Sequence, residues 1–177
     1  MATLIGLISD THGHLSDEAY AAMADVDAII HAGDIGGPEV LRMLETLAPV
    51  TAVLGNNDFD EYGPAVGRFA HPVIDGVRFL VAHKPADVLI GFNGCAGLAA
   101  GDPIPQVRMH GHTHVPKLVC DREARPADML VNPGAVFRPR SDLGRTVGKM
   151  LVENGRILGA RIETLGGSPL LSVGEPF

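Results

Sequence analysis

The sequence predicts an α/β protein in which two stacked mixed β-sheets are flanked by helices, and three patterns predict it. Short apolar runs alternate with helical periodicity through the first half of the chain, strand-length apolar runs alone follow it, and Asp-Gly and Asn-Gly dipeptides fall where hairpins would turn. Residues 4–8, Leu-Ile-Gly-Leu-Ile, read as a first buried strand. Residues 17–24 read as a helix capped by Ser16 or Asp17, and residues 28–32 as a second strand. Residues 38–47 form a second helix that opens on Pro38 and sets Val40, Leu41 and Leu44 at helical spacing. Residues 50–54 complete a strand–helix–strand–helix–strand order, which belongs to a parallel sheet with helices packed on it. From Arg68 the pattern is β. Residues 73–74 and 77–81 flank the turn Asp75-Gly76, strands follow at 106–109, 117–120, 129–131, 146–152 and 156–163, and Asn154-Gly155 marks the last hairpin. Residues 87–100 stay ambiguous, a short helical pattern weakened by glycines. Residues 166–177 read as a loose tail, so the expected domain is a single unit over 1–165.

Composition bounds the function classes. A chain of 177 residues suits one domain of roughly 100–200 residues. It can bury about 70% of its unfolded surface and so needs no disulfide or metal merely to fold. Hydrophobic residues at 46% and charged ones at 20% exclude wholesale disorder. With aromatics at 5% and no Trp, the core must rest on Val, Leu, Ile and Ala. The 14 Lys+Arg against 21 Asp+Glu give a net charge of −7, which opposes non-specific capture of a nucleic-acid backbone. An anionic partner would have to be drawn in locally, as a bound metal can do. Cys95 and Cys120 lack CxxC spacing and are expected as free thiols of a reducing cytosol. The N-terminal apolar run has no basic flank and is cut by Asp10, so it reads as a strand rather than a signal peptide. No apolar run approaches ~18 residues. The expectation is a soluble, cytoplasmic protein with no membrane contact, its oligomeric state open.

Polar residues recur directly after the expected strands, where an open α/β sheet presents its ligand crevice. They are Asp10-Thr11-His12-Gly13-His14, Gly33-Asp34, Gly55-Asn56-Asn57-Asp58, His83 and His110-Gly111-His112-Thr113-His114. Any one of these alone is a common loop or strand motif; their joint occurrence at strand ends beside glycines points to a metal site. Imidazole, carboxylate and amide oxygen without thiolate suit Mn, Fe(II), Co, Ni or catalytic Zn. Seven donors exceed the needs of one tetrahedral ion and suit two ions about 3.5–4 Å apart that share a carboxylate. Two divalent ions balanced by Asp10, Asp34 and one hydroxide keep residual positive charge for an anionic phosphate.

The set Asp10-x-His12, Gly33-Asp34, Gly55-Asn56, His83 and Gly111-His112-Thr113-His114 resembles the calcineurin-like metallophosphoesterases, and in length their small single-domain branch of YfcE-type phosphodiesterases. Asn132-Pro133-Gly134-Ala135 resembles that branch's late Asn-Pro-Gly-Ser loop, so the likeness spans nearly the whole chain. The resemblance implies that Asp10, His12 and His114 hold one ion, that Asn56, His83 and His112 hold the other, and that Asp34 bridges them. It implies two divalent cations, Mn foremost, and attack on phosphorus by a metal-activated hydroxide.

The chain departs from the family pattern twice. Asn57 stands where many relatives have a proton-donating His, which leaves the general acid open and makes Asn57 a substrate contact instead. His14 is a candidate substitute, its alternative an exposed loop residue. Ala82-His83-Lys84-Pro85 replaces the branch's usual His-Gly-His, so Lys84 either holds a substrate phosphate or is simply solvated. Asp58 is read as orienting Asn56 or another ligand. Arg138 and Arg140 either clamp a phosphate or lie on the surface. His31 is expected to be packed, His71 to be a loop residue, and His110 either packed or orienting a ligand.

The leading expectation is a hydrolase of small phosphoesters, diesters ahead of monoesters. The alternative is a non-catalytic protein-binding scaffold like the retromer subunit of the same fold, against which the intact donor set argues. A nuclease fits poorly with the acidic charge and the lack of a basic, aromatic-lined groove.

Overall fold

The computed structural model describes residues 1–91, 94–95 and 97–177. The first half runs β1 (Thr3–Ile8), α1 (Asp17–Ala22), β2 (Ala28–His31), α2 (Pro38–Glu45) and β3 (Val50–Ala52), in the order expected. The Ser16 side chain caps α1 by accepting from the Ala19 N–H at 3.3 Å, and Pro38 occupies the first turn of α2. The second half runs β4 (Phe69–Ala70), β5 (Val73–Ile74), β6 (Val77–Ala82), a 3₁₀ turn (Pro85–Val88), β7 (Val107–Met109), β8 (Lys117–Val119), β9 (Met129–Asn132), β10 (Thr146–Glu153), β11 (Arg156–Thr164) and β12 (Pro169–Gly174).

These strands build two mixed sheets. One has the order β12-β11-β10-β1-β2-β3, parallel across β1, β2 and β3 and antiparallel elsewhere. The other has the order β4-β6-β7-β9-β8, parallel across β6, β7 and β9, with β5 paired to β6. Alternation decides what fills the layers. Ile5 and Leu7 of β1 face inward and meet Phe79, Val107, Met109, Val131 and Met150 in the core between the sheets. Leu4 and Ile8 face outward against Met23, Val40 and Leu44 of the helical layer. The outer face of the second sheet is covered by the 3₁₀ turn and the loop around Ala124, pinned by buried Arg108, whose guanidinium donates to the carbonyls of Val88, Glu123 and Ala124. Asp75-Gly76 and Asn154-Gly155 turn with both residues at positive φ, as a two-residue hairpin requires. The Gly155 N–H donates to the Asp75 carbonyl at 2.7 Å, which ties one sheet's turn to the other's.

Two expectations change. The segment after Gly166 was expected to be loose, yet it returns as β12 along β11: Thr164 and Gly167 close the turn by a 2.9 Å hydrogen bond, and Leu171 and Val173 pack on the core between the sheets. Of the ambiguous stretch 87–100, only the start is helical, within Pro85–Val88, and residues 92, 93 and 96 lie outside the described residues. Cys95 and Cys120 are free thiols. Among the described residues no helix is long and apolar enough to cross a membrane.

Candidate metal centre

The loops that follow β1, β2, β3, β6, β7 and β9 meet at one end of the sandwich, and backbone hydrogen bonds lock them together. The Asp10 N–H donates to the Gly33 carbonyl at 3.0 Å, the His12 N–H to the Asp34 carbonyl at 2.9 Å, and the Gly111 N–H to the His83 carbonyl at 3.0 Å. At Gly55 and Gly111 a Cβ would collide with Asp34 and with Ser9 and Asp10 respectively, so only glycine lets these loops approach so closely.

Asp10 is fully buried and its two oxygens have different tasks. Oδ2 accepts from the Ser9 hydroxyl at 2.7 Å and from the His112 N–H at 3.1 Å, whereas Oδ1 is buried without a hydrogen-bond partner. His83 Nδ1 donates to the Ala32 carbonyl at 2.8 Å, which turns a bare Nε2 inward, and that nitrogen is also buried without a partner. His114 is held likewise, Nδ1 donating to the Arg138 carbonyl at 2.7 Å, with Nε2 lying 3.1 Å from Asp10 Oδ1. His12 Nε2 lies 3.4 Å from His114 Nε2. Asp34 Oδ2 lies between the two sides, 3.6 Å from His12 Nε2 and 3.4 Å from His83 Nε2. Two compact triplets result, Asp10–His12–His114 and Asp10–Asp34–His83, with Asp10 common to both.

Burial pushes the Asp10 carboxyl up from the usual carboxylate range, against the Ser9 hydroxyl and His83. Burial also acts upward on Asp34, but the neighbouring His83 imidazole and the hydrogen bonds from Asn57 outweigh it and hold that carboxyl below the usual range. His83 is raised against its burial by Asp34, the Ala32 carbonyl and Asp10, while burial and His83 lower His112. A buried carboxylate oxygen and a buried imidazole nitrogen with no partner are costly unless a cation takes both, and carboxylate with imidazole is a donor set that divalent transition metals accept. The residues fit such an ion.

The other expected site residues sort by what they touch. Asn57 braces Asp34 instead of standing free for substrate, its backbone N–H donating to Oδ1 at 2.9 Å and its side-chain amide to Oδ2 at 2.7 Å. Asn56 precedes it on the same loop with an exposed side chain. His112 sets its ring edge-on against His83, centroids 5.1 Å apart. Asp58 accepts from the N–H groups of Ile35 (3.0 Å), Gly36 (2.9 Å) and Gly55 (2.8 Å) and from the Tyr62 hydroxyl (2.9 Å). With both oxygens so occupied, Asp58 latches the Asp34 loop to the Asn56 loop and does not itself orient Asn56. Lys84 is exposed, and His14 is exposed but stacked on Phe137 at 4.1 Å. Arg138 contributes its carbonyl to His114 and lays its guanidinium 4.9 Å from the Phe137 centroid. His110 is buried with Nδ1 donating to the Gly111 carbonyl at 2.9 Å, and exposed His71 lines a cavity that shares no residue with the cluster.

The backbone marks the same place. Among the described residues eight non-glycines have positive φ; Asp75 and Asn154 serve hairpins, and the other six are Asp10, His12, Asp34, His112, His114 and Arg138. Each costs about 1 kcal/mol or more and persists only where surrounding contacts over-determine it.

Asn132, named in sequence only as part of a turn motif, has a task at the site: its amide donates to the Gly111 carbonyl at 3.1 Å and to Thr113 Oγ1 at 2.9 Å and so shapes the turn that carries His112. Its position at the end of a strand was the available signal. His31 is packed as expected, and it also has a task. Its Nδ1 accepts the Gly33 N–H at 3.2 Å, so Nε2–H donates to Thr11 Oγ1 at 2.9 Å, whose hydroxyl donates to the Ile35 carbonyl at 2.8 Å. This chain grips both ends of the Asp34 turn. Burial lowers His31 from 6.5 to about 4, so the unfolded chain binds the proton more readily and the stabilisation, full above 6.5, is lost as pH falls toward 4. Urea unfolding of chelator-treated protein should therefore show a loss of about 2 kcal/mol between pH 7 and pH 5 that His31→Gln lacks. Parallel losses in both proteins would contradict this.

The two-sheet α/β sandwich thus carries a buried carboxylate–imidazole cluster, suited to metal, at its loop end. The model of the calcineurin-like phosphoesterase superfamily domain matches residues 3–155, and the chain belongs to that family. A probable metallophosphoesterase of Methanothermobacter thermautotrophicus is 36% identical over 144 residues, 77% of this chain and 79% of the relative. Among solved structures, the phosphoesterase YfcE of E. coli has a TM-score of 0.69 at 22% identity, covering 97% of this chain and 98% of its own. Vps29 of Entamoeba histolytica complexed with zinc has a TM-score of 0.66 at 18% identity, covering 96% and 98%. At these identities the two structures share the fold.

Proposed function

We propose that the protein hydrolyses phosphodiesters, and monoesters less well, with two divalent cations of which Mn is the foremost candidate. The observation that carries this reading is the pair of buried, partnerless atoms Asp10 Oδ1 and His83 Nε2 at the centre of two donor triplets that share Asp10. Asp10, His12 and His114 would hold one cation, and Asn56, His83 and His112 the other. Asp34 would serve both, which its position 3.6 Å from His12 and 3.4 Å from His83 supports. Bound ions supply an activated water nucleophile and positive charge for the phosphoryl transition state. The chain's own residues fix the geometry: Asn57 and Asp58 hold the Asp34 loop, Ser9 turns Asp10 Oδ1 inward, and carbonyls orient His83 and His114. Lys84 would meet the scissile phosphoryl group, and Arg138 the substrate's phosphate oxygens on the His14 side. His14, an imidazole beside His12 outside the donor set, would protonate the leaving oxygen.

Protein stripped with EDTA and resupplied with Mn should turn over bis-p-nitrophenyl phosphate faster than p-nitrophenyl phosphate. No turnover of either with Mn, Ni, Co, Fe(II) or Zn, despite bound metal, would overturn the catalytic reading in favour of a protein-binding scaffold, which the shared fold with Vps29 makes the second reading.

A further inference from the structure

Beside His12 and His114 the surface opens into a cavity of about 490 Å³, walled also by His14, Phe137, Arg138 and Arg140. Its size is that of a small-molecule site, and no carboxylate lines it among the described residues. Among the described residues the guanidiniums of Arg78, Arg122, Arg138, Arg140 and Arg156 have neither an ion-pair nor a hydrogen-bond partner, and of these Arg138 and Arg140 line the cavity beside His12 and His114. In a chain of net charge −7 an unpaired, carboxylate-free pair of arginines is a local anion trap.

The cavity is built as well as charged. Phe137 stacks on His14 at 4.1 Å and carries the Arg138 guanidinium at 4.9 Å, which fixes a side chain that would otherwise be mobile. The backbones of both arginines are tied to His114: the Arg138 carbonyl accepts from its Nδ1 at 2.7 Å, and the Arg140 N–H donates to its carbonyl at 3.2 Å. Arg138 keeps this arrangement at φ 51°. The Arg138 guanidinium thus stands against Phe137 beside the cluster, and the Arg140 backbone is anchored there while its exposed side chain reaches the same cavity.

We propose that this cavity is a subsite for a second phosphate, so that the preferred substrates are phosphoesters whose scissile phosphorus is linked to a further phosphate, as in nucleotide pyrophosphates. The inference rests on the phosphoester reading above and narrows it. The second phosphate does not react; Arg138 and Arg140 clamp it by charge-assisted hydrogen bonds.

The test compares the p-nitrophenyl ester of thymidine 5′-monophosphate, with one phosphate, and P1,P2-di(thymidine-5′) pyrophosphate, with two. In Arg138→Gln and in Arg140→Gln the ratio of kcat/KM for the second substrate over the first should fall at least about tenfold, the scale of one charged hydrogen bond. Arg138→Lys, which keeps the charge and loses the fork, should fall between. Calorimetry supplies a readout apart from turnover: Mn-loaded protein should bind methylenediphosphonate at least about tenfold more tightly than inorganic phosphate, and each Gln variant should lose that preference. Equal kinetic effects on both substrates, or a preference for the diphosphonate that survives both substitutions, would overturn the subsite. Failure of the wild type to cleave either ester while the diphosphonate preference depends on the arginines would instead overturn the hydrolase reading and leave the anion subsite standing.

Discussion

Asp34→Asn is expected to abolish metal-dependent phosphodiester hydrolysis, lowering kcat/KM at least about a hundredfold, the scale on which removal of one pre-organised electrostatic group acts. The substitution is nearly isosteric and takes away the one carboxylate oxygen that lies within 3.6 Å of both His12 and His83. Bound Mn should fall from two equivalents per chain to one or fewer. The fold should survive at reduced stability, because Asp34 accepts from the Asn57 N–H and side-chain amide and lies beside His83, and the Asn variant keeps only one acceptor oxygen. The chelated variant should therefore still unfold cooperatively, at a lower temperature than chelated wild type. A variant that keeps more than about a tenth of the rate, or that is inactive only because it has unfolded, would contradict the role given to Asp34.

Asp58→Ala should be the second most damaging change, and for a different reason. It leaves the N–H groups of Ile35, Gly36 and Gly55 and the Tyr62 hydroxyl without their common acceptor. Four orphaned donors around a half-buried carboxylate position cost about 2–4 kcal/mol, since water reaches some of them. The loops carrying Asp34 and Asn56 should separate, and Mn affinity should drop ~10–100-fold, as when an outer partner of a ligand is removed. Asp58→Asn retains one acceptor oxygen and should recover part of both losses. Chemical denaturation and Mn titration of the three proteins check this; an Asp58→Ala chain with wild-type Mn affinity would show that the two loops do not depend on the latch.

The contrast between these two residues shows what the sequence carries. Asp10, His12, Asp34, His83 and His114 are legible because apolar runs locate β1, β2, β6 and β7 and the donors follow directly on their ends. The partners of Asn57 and Asp58 are not legible, because Asn57 donates to, and Asp58 accepts from, whatever group the tertiary fold brings near, here groups of a loop more than twenty residues earlier. The same holds for Phe137, whose place between His14 and Arg138 depends on how the loop after β9 folds back. β4, of two residues, is too short to show a period, and the turn residues Gly166-Gly167-Ser168 mask the alternation of Leu171 and Val173 that seats β12. The left-handed backbone at five of the expected ligands has no sequence signal at all, since none of them is glycine.

A catalytic centre of two ions is tested most directly by the initial rate of bis-p-nitrophenyl phosphate hydrolysis as Mn is titrated into metal-free protein at a chain concentration well above the metal dissociation constants. The rate should climb until two equivalents of Mn per chain are present and stay flat beyond. A plateau at one equivalent would contradict a centre of two ions sharing Asp34, and no turnover at any ratio, with Mn bound, would contradict the assignment of this site to phosphoester hydrolysis.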